Sequence, residues 1–571
     1  MTPIEEATVV WEFWRGEPGS VGALPFVNGS VKLLPYAEIE VLRTLVPSEF
    51  GIATSDDVFL RISSHSIPSS KPHGVLVEVA QLDAVGANRL PLAMSVSALL
   101  LALILSEVIN RVYSALLGVV LVLGLNTWVY HAAEVSLECS RPCRLSNSFP
   151  VLPTPKSHPL TSPSDTAPAQ VHLVMTHVDW GTIVLLFSMM INVHLLSLTG
   201  FFEWSAVRVA AVARGNATVV FWLLSMLAGV LSAFLDNVTC VMLLGPVTIS
   251  LCKQMQVPSV PFYLTETLAA TIGGTATLVG DPPNVVISQR LGVGFVDFLV
   301  HNGLLVLVLL PLAVAIQHFR FRGLLRSARQ MTAEEIAALA VAHPIIDERK
   351  LMYVGTCLLG LFVALPLAEV THVEPHFYCL LAMIGSCLTT SRHDIRHLLE
   401  AVEWDTLLFF ACLFIIVEGL VELGLIRELG NILSTTIVNV PIDNRLTTAC
   451  ILFLWVSSVG SAFLESLPYT ATIAAVLNNM QYADIPIGIP IRPLAWALSV
   501  GACVGGIGSI MGSSANLVAI AVSHRYSPDE AIEGKHFLQY GLPLLVVLTS
   551  ISMLWQYVMF SVMGLPGTIL S

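Results

Sequence analysis

SAFLDNVT at Ser232–Thr239 is followed by GGTATLVGDPPNVV at Gly273–Val286. Both return later, as SAFLESLPYT at Ser461–Thr470 and GGIGSIMGSSANLV at Gly505–Val518. Asp236 and Glu465 are 229 positions apart, and Gly273 and Gly505 are 232 apart. Two matched motifs at nearly one offset point to an internal repeat. Gly273, Gly274, Gly280, Pro282 and Pro283 make poor helix, as do Gly505, Gly506, Gly508 and Gly512. Yet both stretches lie inside long apolar runs. Backbone that stops being helical in hydrocarbon leaves N–H and C=O groups unpaired. Such a break survives only inside protein or beside a water-filled cavity.

The surrounding composition supports that setting. Of 571 residues, 55% are hydrophobic and 12% charged, about half the usual charged share of a soluble protein. Apolar runs long enough to span a bilayer recur near 91–110, 112–130, 178–200, 262–288 and 297–319. A second set lies near 351–370, 375–390, 404–424, 494–524 and 540–562. Residues 217–252 and 446–480 are too long for one simple span, and each holds polar residues and a proline. They read as re-entrant hairpins of two half-helices. The net charge of −13 is spread over loops, and no basic stripe with interleaved aromatics suggests nucleic acid. The ten cysteines show no metal-ligand spacing. Cys139 and Cys143 are either a loop disulfide or two free thiols.

Residues 1–90 differ. Short β-prone runs at Val31–Leu34, Val58–Ile62 and Gly74–Ala80 are separated by Pro, Gly and Ser, which predicts a small β-rich domain. Residues 139–170 are rich in Pro, Ser and Thr and read as a disordered loop. Residues 320–350 form a basic linker with a helix over Thr332–Ala340. Basic residues prefer the cytoplasmic side. With this linker inside, 14 Lys and Arg fall on cytoplasmic segments and 7 on the outer loops after residue 90. The first domain is then extracytosolic, and Asn28 in Asn28-Gly29-Ser30 is its glycosylation candidate. Met1–Glu12 holds no signal-peptide core, so either an upstream span lies outside this chain or the first span inserts with its N-terminus outward.

The expected fold is therefore an all-α polytopic membrane protein with a β-rich extracytosolic N-terminal domain. Residues 91–319 form a first transport repeat, with hairpin 217–252 and broken helix 262–288. Residues 351–571 form a second, with hairpin 446–480 and broken helix 494–524. Each repeat has five spans plus a hairpin. Five spans separate the hairpins, and an odd number inverts the second unit, as in many secondary transporters.

The breaks expose half-helix ends, whose N-termini favour anions and whose C-terminal carbonyls favour cations. Asn237, Thr239, Thr275, Asn284, Ser466, Thr470, Ser513, Ser514 and Asn516 offer neutral hydrogen bonds to a dehydrated solute. Asp236, Asp281 and Glu465 are ionisable at membrane depth, where charge is costly and usually functional. Plainer roles compete with each assignment. Gly and Ser in membrane helices also serve close packing, and Asp236 suits the N-cap of a hairpin arm. Glu418 and Glu422, four apart on one helix, read as cavity- or interface-facing.

On these motifs the chain resembles the group that joins arsenite permeases, citrate-transporter-like proteins and divalent-anion/sodium symporters. Within that group, SAFLDNVT and ETLAATIGGTATLVGDPPNVVIS resemble the P-protein family of melanosomes. The likeness runs from about residue 90 to the C-terminus. It implies a homodimer with a scaffold and an elevator-like or channel-like transport region. It also implies a small anion such as chloride, arsenite, citrate or another dicarboxylate, coupled to Na⁺ or H⁺, with no cofactor. For the P-protein branch it implies control of luminal pH in a melanosomal or endolysosomal membrane; the plasma membrane is the other setting. The family's hairpin Asn/Thr pair maps to Asn237 and Thr239, and its Gly-Gly and Pro-Pro-Asn to Gly273, Gly274, Pro282, Pro283 and Asn284. The second hairpin departs from the family pattern, with Glu465-Ser466 where an Asp-Asn pair is usual.

Two other classes compete with transport. An intramembrane aspartyl protease would use Asp236 and Asp281, but the Gly-x-Gly-Asp pattern lacks its first glycine at Leu278-Val279-Gly280-Asp281. A non-transporting receptor or scaffold would rely on residues 1–90 and would not need the midplane motifs.

Overall fold

The computed structural model describes residues 7–15, 24–33, 58–65, 77–79, 89–106, 111–129, 135–137, 177–371, 373–388, 394–480 and 488–563. Contacts divide the chain into two compact units. One is Met1–Asn88 with Thr127–Val171, and the other is Arg89–Asn126 with His172–Ser571.

The first unit holds strands β1 (Ala7–Arg15), β2 (Leu24–Leu33), β3 (Val58–His65), β4 (Val77–Val79) and β5 (Val135–Leu137). β1 is central in an antiparallel sheet of order β2-β1-β3, with Trp11 opposite both Gly29 and Ile62. The runs expected at Val31–Leu34, Val58–Ile62 and Gly74–Ala80 overlap β2, β3 and β4. β1 was not expected, although ATVVWEFWR carries the β-branched and aromatic residues that favour strands. Asn28 lies within β2, opposite Glu12. Segment 139–170, with Cys139 and Cys143, is outside the described residues.

The second unit is helical. It runs α1 (Arg89–Ser106), α2 (Arg111–Val129), α3 (Trp180–Ser197), α4 (Phe201–Val212), α5 (Ala217–Ser232), α6 (Asn237–Gln254), α7 (Ser259–Gly274) and α8 (Pro282–Leu291). α9 (Phe295–Ser327) follows, then α10 (Ala333–Ala342), α11 (Glu348–Leu367), α12 (Pro375–Cys387) and α13 (Asp394–Glu400). The chain continues with α14 (Trp404–Glu422), α15 (Leu425–Val438), α16 (Ile442–Phe463), α17 (Ser466–Met480), α18 (Arg492–Gly505), α19 (Ser514–Tyr526) and α20 (Gly534–Ser561). Among the described residues, α3, α9, α11, α14, α16 and α20 are each long and apolar enough to cross a membrane. Parts of α1 and α2, and the whole of α5 and α12, are shorter apolar helices.

Three expectations change. The hairpin arms are longer than half-helices. α5, α6, α16 and α17 have 16, 18, 22 and 15 residues, or about 22–33 Å each. Second, the linker expected at 320–350 is shorter, because α9 continues to Ser327. Arg320, Arg322 and Arg326 thus sit at a helix C-terminus, where the dipole favours cations. Third, α4 and α15 were not expected. Each starts after a left-handed glycine, Gly200 (φ 77°) or Gly424 (φ 84°), a conformation that favours glycine.

The hairpins and broken helices interlock. α5 packs on α7 and α16 on α18. The helix after each break packs on the second arm of the other hairpin, α8 on α17 and α19 on α6. α9 and α20 each carry a π-helical turn, at Leu299–Gly303 and Phe537–Gly541, and cover α5 and α16 respectively.

Candidate functional site

The first hairpin turns at Ala233–Asp236. Asp236 caps α6: Thr239 N donates to Oδ1 at 2.9 Å, and the Thr239 hydroxyl donates to Oδ2. Both carboxylate oxygens are thus engaged locally, which argues against Asp236 as one of two proteolytic aspartates. The loop Thr275–Gly280 closes against this turn. Thr277 Oγ1 donates to Ala233 O and accepts from Gly280 N. Pro282 and Pro283 open α8, where missing N–H donors cost nothing. Asp281 precedes them but makes no side-chain cap; the Cys503 thiol of α18 lies against it.

Asn284 holds the loop. Its Nδ2 donates to Gly274 O at 3.2 Å and to Thr277 O at 2.9 Å. Without it, two carbonyls of a non-helical segment would be buried unpaired. Its Oδ1 accepts from Ser499 Oγ on α18 at 2.8 Å, and Asn302 Nδ2 donates to Ser499 Oγ at 2.8 Å. Ser499 and Asn302 were missed in the sequence: Ser499 is a single polar residue in an apolar run, and Asn302 lies outside both repeated motifs.

The second loop repeats the pattern. Asn516 Nδ2 donates to Gly506 O at 2.8 Å and to Ser509 O at 2.7 Å. Ser509 Oγ donates to Ala462 O and accepts from Met511 N at 3.1 Å. Ser466 N donates to Gly512 O at 3.2 Å, tying the second hairpin turn to its own loop. The glycines serve close approach. A Cβ at Gly273 would stand 2.0 Å from Gly229 O, and one at Gly505 would stand 2.6 Å from Ser458 O. Gly274 faces Gly280 O, and Gly506 faces Gly512 O.

The halves differ in one respect. Asn516 Oδ1 is buried with no hydrogen-bond partner. Thr267, which the repeat aligns with Ser499, instead turns its hydroxyl to Tyr263 O at 2.8 Å.

Of the remaining candidates, Thr470 donates to Ser466 O on its own helix and Thr275, just past α7, donates back to Thr271 O. Glu465 pairs with Arg111 Nη1 of α2 at 3.1 Å, and Arg111 Nη2 reaches Thr406 Oγ1 at 3.3 Å. Glu418 and Glu422 are also engaged. Glu418 pairs with Arg290 at 3.0 Å, while Glu422 meets His177 at 3.3 Å and accepts from Asn126. The side chains of Asn237, Ser466, Ser513 and Ser514 make no hydrogen bond among the described residues. They stand at the first turns or cap of α6, α17 and α19, helix ends that carry partial positive charge.

The citrate transporter family model matches residues 101–501. The human P protein is 32% identical over 469 residues, covering 70% of this chain and 55% of that protein. The chain thus spans about half the length of the P proteins it matches. The 46 kDa membrane protein of Mycobacterium leprae is 34% identical over 389 residues, covering 68% of this chain and 88% of that protein. Among solved structures, the YdaH transporter of Alcanivorax borkumensis superposes with a TM-score of 0.52 at 15% identity, covering 81% of this chain and 100% of that one. That likeness speaks to fold alone.

Proposed function

The chain belongs to the citrate transporter family and is an integral multi-pass membrane protein, and from that premise we propose that it carries a small anion across the membrane. The observation that supports this most is the set of unused polar groups on Asn237, Ser466, Ser513 and Ser514 at three helix N-termini beside two non-helical loops. A protein that needed these loops only for packing would have no reason to leave hydrogen-bonding groups unspent at membrane depth. Helix N-termini and neutral donors together suit an anion stripped of water.

In this reading the two halves are inverted repeats, and the interlocked α5–α8 and α16–α19 form the transport core. α2, α3, α11, α12 and α14 frame it. The core meets the frame through the polar pairs Arg111–Glu465 and Arg290–Glu418, which can exchange partners with water more cheaply than a packed apolar seam. Elevator-like movement of the core would carry the site between the two sides. The first unit would lie outside the cytoplasm with Asn28 glycosylated, and the chain would form a homodimer. Na⁺ or H⁺ would be the coupling ion. The P-protein likeness adds the proposal of an organellar membrane whose luminal pH the transport affects.

The test is uptake of citrate and of chloride into proteoliposomes holding the purified chain. Uptake above protein-free vesicles that falls at least tenfold in Asn284→Ala supports the site. Equal uptake in the variant removes it.

A further inference from the structure

Glu266 lies outside the loops described above. It sits on α7, about two helical turns before the Gly273–Gly274 break, and its relative exposure is 0%. Thr248 Oγ1 on α6 donates to Oε2 at 2.7 Å. The other oxygen, Oε1, is buried with no hydrogen-bond partner. Among the described residues, no Lys, Arg or His forms an ion pair with it.

The helices packed on α7 do not offer a counter-charge. On α6, Cys240 and Cys252 lie within electrostatic reach of Glu266, as does Tyr263 on α7 itself. All three are acids. Tyr263 turns its hydroxyl to Val241 O at 2.9 Å, and Lys253 of α6 is exposed and bonds Tyr526 O. α5 carries no ionisable residue. On α9, His301 stacks on Trp496 with Nδ1 against Asp297 O, His318 packs against Phe221 and Trp222, Arg320 lies over Tyr540, and Arg322 and Arg326 are exposed. On α18, Arg492 is exposed at the helix start and Cys503 faces Asn284 Oδ1. His524 and Arg525 of α19 are exposed, and the nearby Glu530 accepts from Ser259 N.

A carboxylate so placed, with one donor and no cation, is costly to keep charged. It must therefore hold a positive partner whenever α6 and α7 are packed as here. A metal ion needs a shell of oxygens. The threonine hydroxyls on α7 are instead directed to backbone: Thr265 to Pro261 O, Thr267 to Tyr263 O and Thr271 to Thr267 O. No group of three or more metal-ligating side chains occurs among the described residues. A proton needs only Oε1.

We propose that Glu266 is a proton-binding site that couples transport to the proton gradient, an inference resting on the transporter reading above. A proton from water on one side adds to Oε1 and leaves a neutral acid. Its release to water on the other side restores the carboxylate, so one positive charge crosses per cycle. Coupling follows from position. α6 begins at Asn237 and α7 ends in the Thr275–Gly280 loop, so both helices touching Glu266 lead into the anion site. Proton loss places an unpaired charge between them and favours their separation; proton gain lets them close.

The test has two arms on the purified full chain. In proteoliposomes with an internal pH dye, wild-type uptake of citrate or chloride should move protons. In Glu266→Gln, which keeps the shape and the acceptor for Thr248, no proton movement should accompany whatever flux remains. Wild-type flux without proton movement, or unchanged proton movement in the variant, would overturn the proposal while leaving anion transport standing. If neither anion moves, the transporter reading fails for those anions and the second arm decides alone. There, infrared difference spectra should show a protonated-carboxyl band that Glu266→Gln removes and that fades as pH rises. Thr248→Val, which deletes the donor to the carboxylate, should move that midpoint up by about one pH unit. A band that never titrates, or a midpoint indifferent to Thr248→Val, overturns the assignment even if Glu266→Gln fails to fold.

Discussion

Ser499 Oγ donates to Asn284 Oδ1 at 2.8 Å although the two residues are 215 positions apart. The bond fastens the loop of the first half to the broken helix of the second. At the position that the repeat aligns with Ser499, Thr267 bonds its own helix and leaves Asn516 Oδ1 unpaired. The first loop is thus closed by protein, while the second keeps a free acceptor.

Ser499→Ala should therefore cost more stability than Thr267→Ala. Removing Ser499 leaves Asn284 Oδ1 only the weak Cys503 thiol donor and strands the Asn302 amide, worth about 1–3 kcal/mol. Thr267→Ala loses one bond to a carbonyl that its helix already satisfies, worth below about 1 kcal/mol. Apparent melting temperatures in detergent read the difference, and equal values for the two variants would contradict the network.

Gly273→Ala should prevent α5 and α7 from closing, because the new methyl would meet Gly229 O at 2.0 Å. Backbone cannot step aside as a side chain does, so the cost is about 1–3 kcal/mol or more. Gly360→Ala on α11 has nothing within 4 Å and should be neutral or slightly stabilising. Yield of monodisperse protein and melting temperature would show the contrast.

Arg111 and Glu465 should couple in a double-mutant cycle. The pair is partly exposed, with side chains 34% and 18% accessible, so the coupling energy should be about 1 kcal/mol or less. If the pair latches the core to its frame, Glu465→Gln should alter flux more than melting temperature. Arg111→Glu with Glu465→Arg should restore both towards wild type. Additive single effects on flux would show that the residues act separately.

The breaks at 275–281 and 506–513 were legible because clustered Gly and Pro are poor helix formers, and the asparagines that seal them recur at one offset. What the sequence hid was of two kinds. α4 and α15 follow α3 and α14 so closely that Arg208 and Arg427, just beyond the spans expected to end at 200 and 424, read as loop residues rather than parts of separate short helices. α16 starts four residues earlier than expected because Asp443, Asn444 and Arg445 are polar, yet a first helical turn outside the apolar layer tolerates them. Long-range partners formed the second kind. Nothing local marks Arg111 for Glu465, 354 positions away. Ser499 could have been flagged by its alignment with Thr267, the one comparison the repeat permits.

Citrate and chloride flux through proteoliposomes, comparing wild type with Asn284→Ala and Asn516→Ala variants shown to be folded, bears most directly on whether an anion passes between the two loops. Flux in wild type that drops at least tenfold in both variants is the predicted result. Undiminished flux in both would mean that these loops only hold helices together and that anions cross elsewhere.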